Sequence, residues 1–277
     1  MASSGTNVDP PQTESVEDTL SKPYFHQQWR NEFYSDKNEK FYDYAIDYLV
    51  RFLQAPENSV FLDAGCGIGG HSIRLARHGY RVRAIDFSES AVEIAQANIQ
   101  ANALQDMIEL SRENLLSLPF EDETFDYVIC WGVLMHIPEL EKALSTLVRV
   151  LKRGGTLVIS EGNAFSMQSV IIRNLKRLLG IEKTDIHKTR TGIEHWVSSP
   201  AGRSFLRHTN IGWLIGRLRN DGFTLKKRIA GQFTELYTKV PSRPLKNLIY
   251  HFNSLWFKYI KVPYPAFGNI IILQKKL

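Results

Sequence analysis

The feature that most constrains this 277-residue chain is a glycine-rich turn directly after an apolar segment. Residues 61–70 read FLDAGCGIGG, so a short strand ends in Asp63 and meets four glycines before a helix can begin. Glycine permits a positive φ and leaves no Cβ between the backbone and a bound molecule. This order of strand, glycine turn and helix is typical of a βα unit that binds a ligand at the carboxyl end of its strand.

Short apolar runs alternate with helical stretches along most of the chain. This alternation predicts an α/β fold with a Rossmann-like, mostly parallel sheet of seven strands and helices on both faces. The predicted strands are 59–63, 81–86, 107–111, 125–131, 156–161, 223–229 and 267–273, with Gly154-Gly155 as the turn into the fifth. The first predicted helix is amphipathic, with its apolar positions between Phe41 and Phe52, and stops near Pro56. The other predicted helices are 70–78, 89–103 with Ser88 as its N-cap, 139–151 and 211–220.

The same pattern divides the chain into a core and several additions. We expect a disordered tail over 1–21, an N-terminal helical cap over 22–56, core segments over 57–162, 209–231 and 266–277, and lid insertions over 163–208 and 232–265.

Basic residues concentrate in the carboxyl-terminal half of the chain. Residues 163–261 contain 18 Lys and Arg against 5 Asp and Glu, whereas the remainder contains 16 against 24. A basic segment on an acidic core predicts contact with an anion such as a phosphate, a carboxylate, a nucleic acid or an acidic membrane surface. The alternative is that these side chains only make the outer faces of helices soluble in water and bind no anion.

Composition excludes several classes of protein. No apolar run reaches the roughly 18–20 residues that span a bilayer, and the first 21 residues lack the features of a secretory signal. We therefore expect a cytoplasmic protein, with peripheral association with a membrane surface as an option. Cys66 and Cys130 are the only cysteines. They are too few for a disulfide framework and lack metal-ligand spacing, so no metal site is predicted.

Two classes of ligand fit the glycines alone, because G-x-G-x-x-G from residue 65 also matches the dinucleotide fingerprint. Asp63 stands where that fingerprint has a small apolar residue, and a carboxylate there can hold the ammonium group of an amino-acid ligand. Asp86, at the end of the second predicted strand, can bind the ribose hydroxyls of either ligand. The segment 114–129, NLLSLPFEDETFDYVI, decides between the two.

With that segment, residues 59–162 resemble the class I, Rossmann-like S-adenosylmethionine-dependent methyltransferases, in the small-molecule group with D-x-G-C-G-x-G and L-P-F…F-D motifs. The resemblance implies S-adenosylmethionine as the cofactor. The residues that we expect to bind it are Asp63, Gly65, Cys66, Gly67, Asp86, Phe87, Asn114, Leu115, Cys130 and Trp131.

The resemblance also implies a role for most of these residues. Gly65, Cys66 and Gly67 would line the methionine part of the cofactor. Asp86 would hold its ribose, and Phe87 would pack on its adenine.

The adenine end departs from the family pattern, because Asn114 stands where the family has an acidic residue. Its amide oxygen can accept the same hydrogen bond, the backbone of Leu115 lies next to it, and Glu113 can compensate. In the loop after the fourth strand, the resemblance implies that Cys130 and Trp131 touch the cofactor, although Trp131 can also be a plain core residue.

The implied reaction is an in-line displacement on an activated carbon, so the protein mainly aligns the nucleophile and excludes water. A hydroxyl or a protonated amine also benefits from a base. His136, in the loop after the fourth strand, is the first candidate because its ordinary pKa lies near neutrality; in similar enzymes this histidine also serves only to brace a loop. Glu194, His195 and His187, in the basic insertion, are the second candidates.

The insertions carry two amphipathic stretches, 170–179 and 245–260, with basic residues beside the apolar ones. We expect them to form a basic helical lid over the carboxyl ends of the strands; the alternative is that they rest on anionic lipid or wrap a lipid-like acceptor. Nucleic acid is not favoured, because no RNA-binding module is present. The segment with Tyr24, Trp29 and Tyr34 is expected to fold over the cofactor.

The sequence therefore predicts an S-adenosylmethionine-dependent O- or N-methyltransferase of a small or lipid-like, anionic biosynthetic metabolite. The alternatives are an NAD-linked oxidoreductase and a catalytically silent cofactor-binding scaffold. The sequence specifies neither the acceptor nor the oligomeric state.

Overall fold

A seven-stranded sheet forms the centre of the computed structural model, which describes Lys22 and residues 36–180, 186–199 and 202–277. The described strands are β1 Val60–Ala64, β2 Arg81–Asp86, β3 Ile108–Arg112, β4 Phe125–Trp131, β5 Leu151–Gly162, β6 Ile186–Lys188, β7 Gly192–Ser199, β8 Gly202–Thr209, β9 Phe223–Ala230 and β10 Gly268–Lys275. The central sheet has the order β3-β2-β1-β4-β5-β10-β9, and in it β10 runs antiparallel to both neighbours. The predicted α/β class and mostly parallel seven-stranded sheet are confirmed.

Helices connect most of these strands. The described α-helices are α1 Asp36–Leu53, α2 Gly70–Arg77, α3 Glu89–Ala101, α4 Leu140–Val150, α5 Met167–Leu178, α6 Ile211–Asn220 and α7 Arg243–Leu255. Short helical turns cover Leu134–His136 and Leu236–Thr238, and a π-helical turn covers Trp256–Ile260. α3 begins as predicted, because the hydroxyl of Ser88 accepts a hydrogen bond from the amide of Ala91 at 3.3 Å and caps the first turn.

Apolar side chains alternate between the two faces of the central sheet. On β4, Val128 and Cys130 belong to the cluster that contains α4 and α6, whereas Ile129 belongs to the cluster that contains residues of α1, α2 and α3. A parallel strand covered on both faces must be apolar on both, which explains the near-continuous apolar runs of the sequence. The prediction of helices on both faces is confirmed.

The predicted helix that precedes the sheet begins at Asp36, ends at Leu53 close to Pro56, and is fastened to α2. Arg74 of α2 is buried and forms ion pairs with Glu39 at 2.6 Å and Asp43 at 2.7 Å, both on α1. These pairs fix α1 beside the glycine turn that leads into α2.

The bounds of the other core elements agree with the predictions to within two residues, except at β5. The predicted turn at Gly154-Gly155 lies inside this strand, which begins at Leu151. The pairing register between β4 and β5 shifts between Phe125 and Tyr127, and Gly154 adopts a positive φ of 73°. The glycines therefore make an irregularity within the strand and do not mark its start.

The insertion predicted over 163–208 as a helical lid is only partly helical. After α5, the strands β6, β7 and β8 form a separate antiparallel sheet of three strands. Glu194 of β7 lies opposite Arg207 of β8. On β8, Phe205, Arg207 and Thr209 are buried while Leu206 and His208 are partly exposed, so burial alternates with the period of a strand. This sheet corrects the prediction. The second insertion contains the predicted helix as α7.

Some predictions fall outside the described residues, namely the tail over 1–21 and the segment with Tyr24, Trp29 and Tyr34. Within the described ranges, no helix is both long and apolar enough to cross a membrane.

Candidate functional site

The glycine turn joins the end of β1 to the start of α2 with a left-handed backbone. Gly65, Gly67 and Gly69 have φ values of 87°, 53° and 84°. A Cβ on Gly65 would lie 2.8 Å from Cγ1 of Val133, which belongs to the loop after β4. Glycine is therefore required at this point both by conformation and by the close approach of the second loop.

The carboxylate of Asp86 organises the same turn from the end of β2. Its Oδ2 accepts a hydrogen bond from the amide of Gly67 at 2.9 Å, and its Oδ1 accepts one from the amide of Ser88 at 3.0 Å. Burial raises the pKa of Asp86, and these donors oppose that shift. The predicted ribose-binding residue thus already holds the backbone of the predicted methionine-binding turn.

Asp63, at the end of β1, is buried and hydrogen-bonded inside the protein. The hydroxyl of Ser72 donates to its Oδ2 at 2.6 Å, and burial raises the pKa of Asp63 to about 6. Cys66 and Cys130 are buried as well, and burial raises the pKa of each thiol. The ammonium contact of Asp63 stays a prediction.

The predicted adenine side begins after β3. The amide oxygen of Asn114 accepts a hydrogen bond from the amide of Leu116 at 2.9 Å, so this side chain caps its own turn. Leu115 lies in the core, and Phe87 is half-buried. One acceptor position of the Asn114 oxygen is therefore used by its own turn, and the contact of Asn114 with an adenine amine stays a prediction.

An aromatic cluster borders the glycine turn on its other side. The ring of His71, in the first turn of α2, lies 4.7 Å from Trp131 and 5.2 Å from Tyr42 of α1. Nδ1 of His71 is buried without a hydrogen-bond partner, and burial lowers the pKa of His71 to about 3. The sequence analysis missed His71 and Tyr42; the position of His71 directly after the last glycine was the available signal.

His136 ends the short helical turn after β4. Its Nδ1 lies 3.3 Å from the carbonyl oxygen of Phe205 on β8, and burial lowers its pKa. The imidazole is therefore neutral near pH 7. A proton on Nδ1 that is donated to this carbonyl would leave the lone pair of the ring on Nε2.

Glu194 is engaged by its own surroundings. Its Oε1 accepts hydrogen bonds from Arg207 at 2.9 Å, Thr191 at 2.8 Å and Thr189 at 3.0 Å. Burial opposes ionisation, but these donors outweigh it and lower the pKa of Glu194. His187, opposite Glu194 in the β6–β7 register, is exposed. In the structure Glu194 forms an ion pair with Arg207, and a catalytic role for Glu194 stays a prediction.

Arg207 connects this small sheet to the loop after β4. The guanidinium is buried, with 2% of the residue exposed, and donates to the carbonyls of Leu134, Ile137 and Pro138 at 3.2, 2.8 and 2.9 Å. Three backbone acceptors from one loop fix the position of the loop that carries His136. The sequence analysis did not identify this residue.

His195 lies beside a second histidine that the sequence analysis did not select. The rings of His195 and His208 are 5.4 Å apart. The pKa of His208 is lowered to about 3, first by burial and then by the positive charges of His195, Lys239, Arg173 and Lys176. Basic side chains from α5 and from the second insertion therefore converge on this histidine pair.

A further carboxyl group lies near the end of β5. Glu161 accepts hydrogen bonds from the amide of Met135 at 3.3 Å and from the hydroxyl of Thr209 at 3.2 Å, and burial raises its pKa to about 8. The sequence analysis overlooked it. The signal was a charged residue at the end of the predicted strand 156–161, as Asp63 ends the predicted strand 59–63.

Comparison with known proteins decides between the ligand classes. Residues 62–159 match the family model described as a methyltransferase domain. The crystal structure of magnesium protoporphyrin IX methyltransferase from Synechocystis PCC 6803 superposes with a TM-score of 0.60 and 21% identity, covering 94% of this chain and 98% of that one. At this identity the match establishes a common fold. Residues 62–159 are a class I S-adenosylmethionine-dependent methyltransferase domain.

Sequence relatives match this methyltransferase domain over part of their length. An uncharacterized protein of Haemophilus influenzae is 34% identical over 151 residues, covering 52% of this chain and 59% of the relative. A demethylmenaquinone methyltransferase of Bacillus cytotoxicus is 33% identical over 115 residues, covering 40% of this chain and 48% of the relative. The chain thus spans about half the length of these relatives.

The methyltransferase domain contains all ten predicted cofactor residues and His136, whereas Glu194 and His195 lie outside it on β7. No group of three or more metal-ligating side chains occurs in the described part of the chain.

Proposed function

We propose that this protein is a methyltransferase that binds S-adenosylmethionine at the glycine turn between β1 and α2 and methylates a small or lipid-like metabolite. The observation that carries the proposal is the contact between Asp86 and Gly67, which puts a carboxylate from β2 against the left-handed turn after β1. The methyltransferase family match supports the same cofactor.

The residues at the turn fit this cofactor. Gly65 and Gly67 form a left-handed turn at the carboxyl end of β1, Asp86 offers carboxylate oxygens to a ribose, and the buried Nδ1 of His71 lacks a partner. An unsatisfied buried polar atom beside a glycine cradle is what a polar ligand would complete. When bound, S-adenosylmethionine supplies an activated methyl group, so no metal is needed for the transfer.

We propose an anionic acceptor, with a hydroxyl or an amine as the methylated group. Arg173, Lys176 and Lys239 surround His208 near the ends of the strands and provide a positive potential for an anion. Phe267 lies against His208, with ring centres 5.0 Å apart, and adds an apolar surface for a lipid-like acceptor. The match to a demethylmenaquinone methyltransferase supports a biosynthetic metabolite.

His136 is the base that we propose for a hydroxyl or a protonated amine. Its burial keeps the imidazole neutral, and the carbonyl of Phe205 favours the tautomer that leaves the lone pair on Nε2. His195 and Glu194 stay as second candidates, although Glu194 is engaged by Arg207.

The test is transfer of a labelled methyl group. The protein is incubated with S-adenosylmethionine that carries a deuterated methyl group and with fractions of polar and lipid metabolites, and the products are identified by mass spectrometry. We expect labelled product on an oxygen or a nitrogen of an anionic compound, reduced in His136→Ala and retained in the control His78→Ala, whose side chain is exposed at the end of α2. Cofactor binding without label in any fraction would instead support a scaffold protein.

A further inference from the structure

The two insertions expose an unusual amount of apolar surface. Of the twenty exposed large hydrophobic side chains in the described residues, sixteen lie in 165–179 or 236–264. They include Leu178, which is 84% exposed, and Leu248, which is 63% exposed. Apolar patches of this kind mark interaction sites when they are contiguous.

Hydrogen bonds link the two segments near the start of α5. The amide of Met167, at the start of α5, donates to the carbonyl of Tyr264 at 3.3 Å, and Gln168 donates to the hydroxyl of Thr234 at 2.7 Å. The amide of Thr234 in turn donates to Asn253 of α7 at 3.1 Å. These bonds connect α5 to the segment that contains α7, and we call the exposed side chains of the two segments, residues 165–179 and 236–264, the α5–α7 face.

Few side chains attach this face to the rest of the protein. Ser169 is the buried residue of α5, and Asn253 is the buried residue of α7. Phe257, in the π-helical turn, is buried beside Phe41, with ring centres 5.2 Å apart. The helices are thus held by a few anchors, while their apolar stripes point away from the core.

The charge of the α5–α7 face indicates which kind of partner binds it. The α5–α7 face contains eight Lys and Arg residues and no Asp or Glu. Several of the cations lie against aromatic rings, as Arg173 does over Phe165 at 5.9 Å and Lys258 over Tyr259 at 5.3 Å. Amphipathic helices that combine apolar and aromatic residues with basic ones bind the interface of anionic lipid bilayers.

We propose that the α5–α7 face docks on anionic lipid bilayers, with Leu178 and Leu248 entering the headgroup region and the surrounding Lys and Arg contacting lipid phosphates. The same face of a second copy would carry the same positive charge, so two copies are not complementary through this face. The inference concerns location and is independent of the reaction proposed above.

The test is flotation of the full chain with vesicles of phosphatidylcholine alone and of phosphatidylcholine mixed with phosphatidylglycerol. We expect flotation with the anionic vesicles at low salt and a marked decrease at high salt. The double variant Lys246→Glu/Lys258→Glu should lower the partition coefficient at least about tenfold. The matched control is Arg219→Glu/Lys276→Glu, which changes the same charge at exposed positions near Gly222, away from the face, and should bind nearly as wild type.

A second pair of variants tests the apolar contribution. Leu178→Ser/Leu248→Ser removes two exposed side chains, so folding should be unchanged by circular dichroism while flotation falls. Failure of the wild type to float with anionic vesicles at low salt would overturn the proposal. So would equal losses in both charge variants, or sedimentation data showing a wild-type dimer that Leu178→Ser/Leu248→Ser converts to a monomer without any change in flotation.

Discussion

The amide of Gly67 donates a 2.9 Å hydrogen bond to Oδ2 of Asp86, so the glycine turn after β1 is held by the end of β2. We predict that Asp86→Ala weakens S-adenosylmethionine binding at least about tenfold, because the turn loses its acceptor and the cofactor loses a carboxylate. Isothermal titration calorimetry measures the affinity. Glu89→Gln, an exposed change on α3, is the control and should bind as wild type; equal affinities in all three proteins would contradict the assignment.

Gly65 is predicted to tolerate no side chain. Gly65→Ala adds the strain of a positive φ, about 1–2 kcal/mol, and an overlap with Val133. Gly222→Ala is the matched control, because Gly222 has nearly the same φ of 88° and its Cβ would meet nothing within 4 Å. We expect both variants to lose stability in urea unfolding, and only Gly65→Ala to lose cofactor affinity as well. An equal loss in the two would show that φ strain alone matters.

The loop that carries His136 should depend on Arg207. Arg207→Ala removes the guanidinium donor from three carbonyls and from the carboxylate of Glu194. We therefore expect a loss of about 3–5 kcal/mol in the free energy of unfolding. Glu194→Gln should cost less, because Arg207 keeps its carbonyl acceptors. A strong loss of turnover in Glu194→Gln, with unchanged stability and cofactor affinity, would show instead that Glu194 is catalytic.

Glu161 gives the fold a pH dependence. Its pKa in the folded protein is about 8, above the ordinary value of 4.5, so its favourable contribution is complete below pH 4.5 and is lost as the pH rises through 8. Glu161→Gln should therefore unfold at higher urea than wild type at pH 8, and the difference should shrink toward pH 5. Urea titrations across this range measure it, with the exposed Glu57→Gln as control. A variant less stable than wild type at pH 8 would contradict the assignment.

The strands of the central sheet were predictable because a strand that is buried on both faces appears in the sequence as a nearly continuous run of apolar residues. β2, β4 and α6 have the bounds that the sequence predicted. The sheet of β6, β7 and β8 was not predictable in the same way. Glu194 and Arg207 are charged residues in adjacent strands, and the ion pair between them makes their burial favourable. Local patterns do not contain that pairing.

The candidate site was predictable where a ligand-binding residue directly ends an apolar segment that is predicted as a strand, as Asp63 and Asp86 do. It was not predictable where distant segments meet. Tyr42 reaches His71 and Trp131 only after α1 packs beside the turn, and nothing in the residues around Tyr42 indicates that contact. Such clusters depend on the tertiary fold.

The most direct test of the central claim is the choice of cofactor by the purified wild-type chain. Isothermal titration calorimetry with S-adenosylmethionine, S-adenosylhomocysteine and NAD compares the ligands that fit the glycine spacing. We predict saturable binding of both sulfur-containing ligands and no measurable heat from NAD. Binding of NAD without binding of S-adenosylhomocysteine would contradict the account.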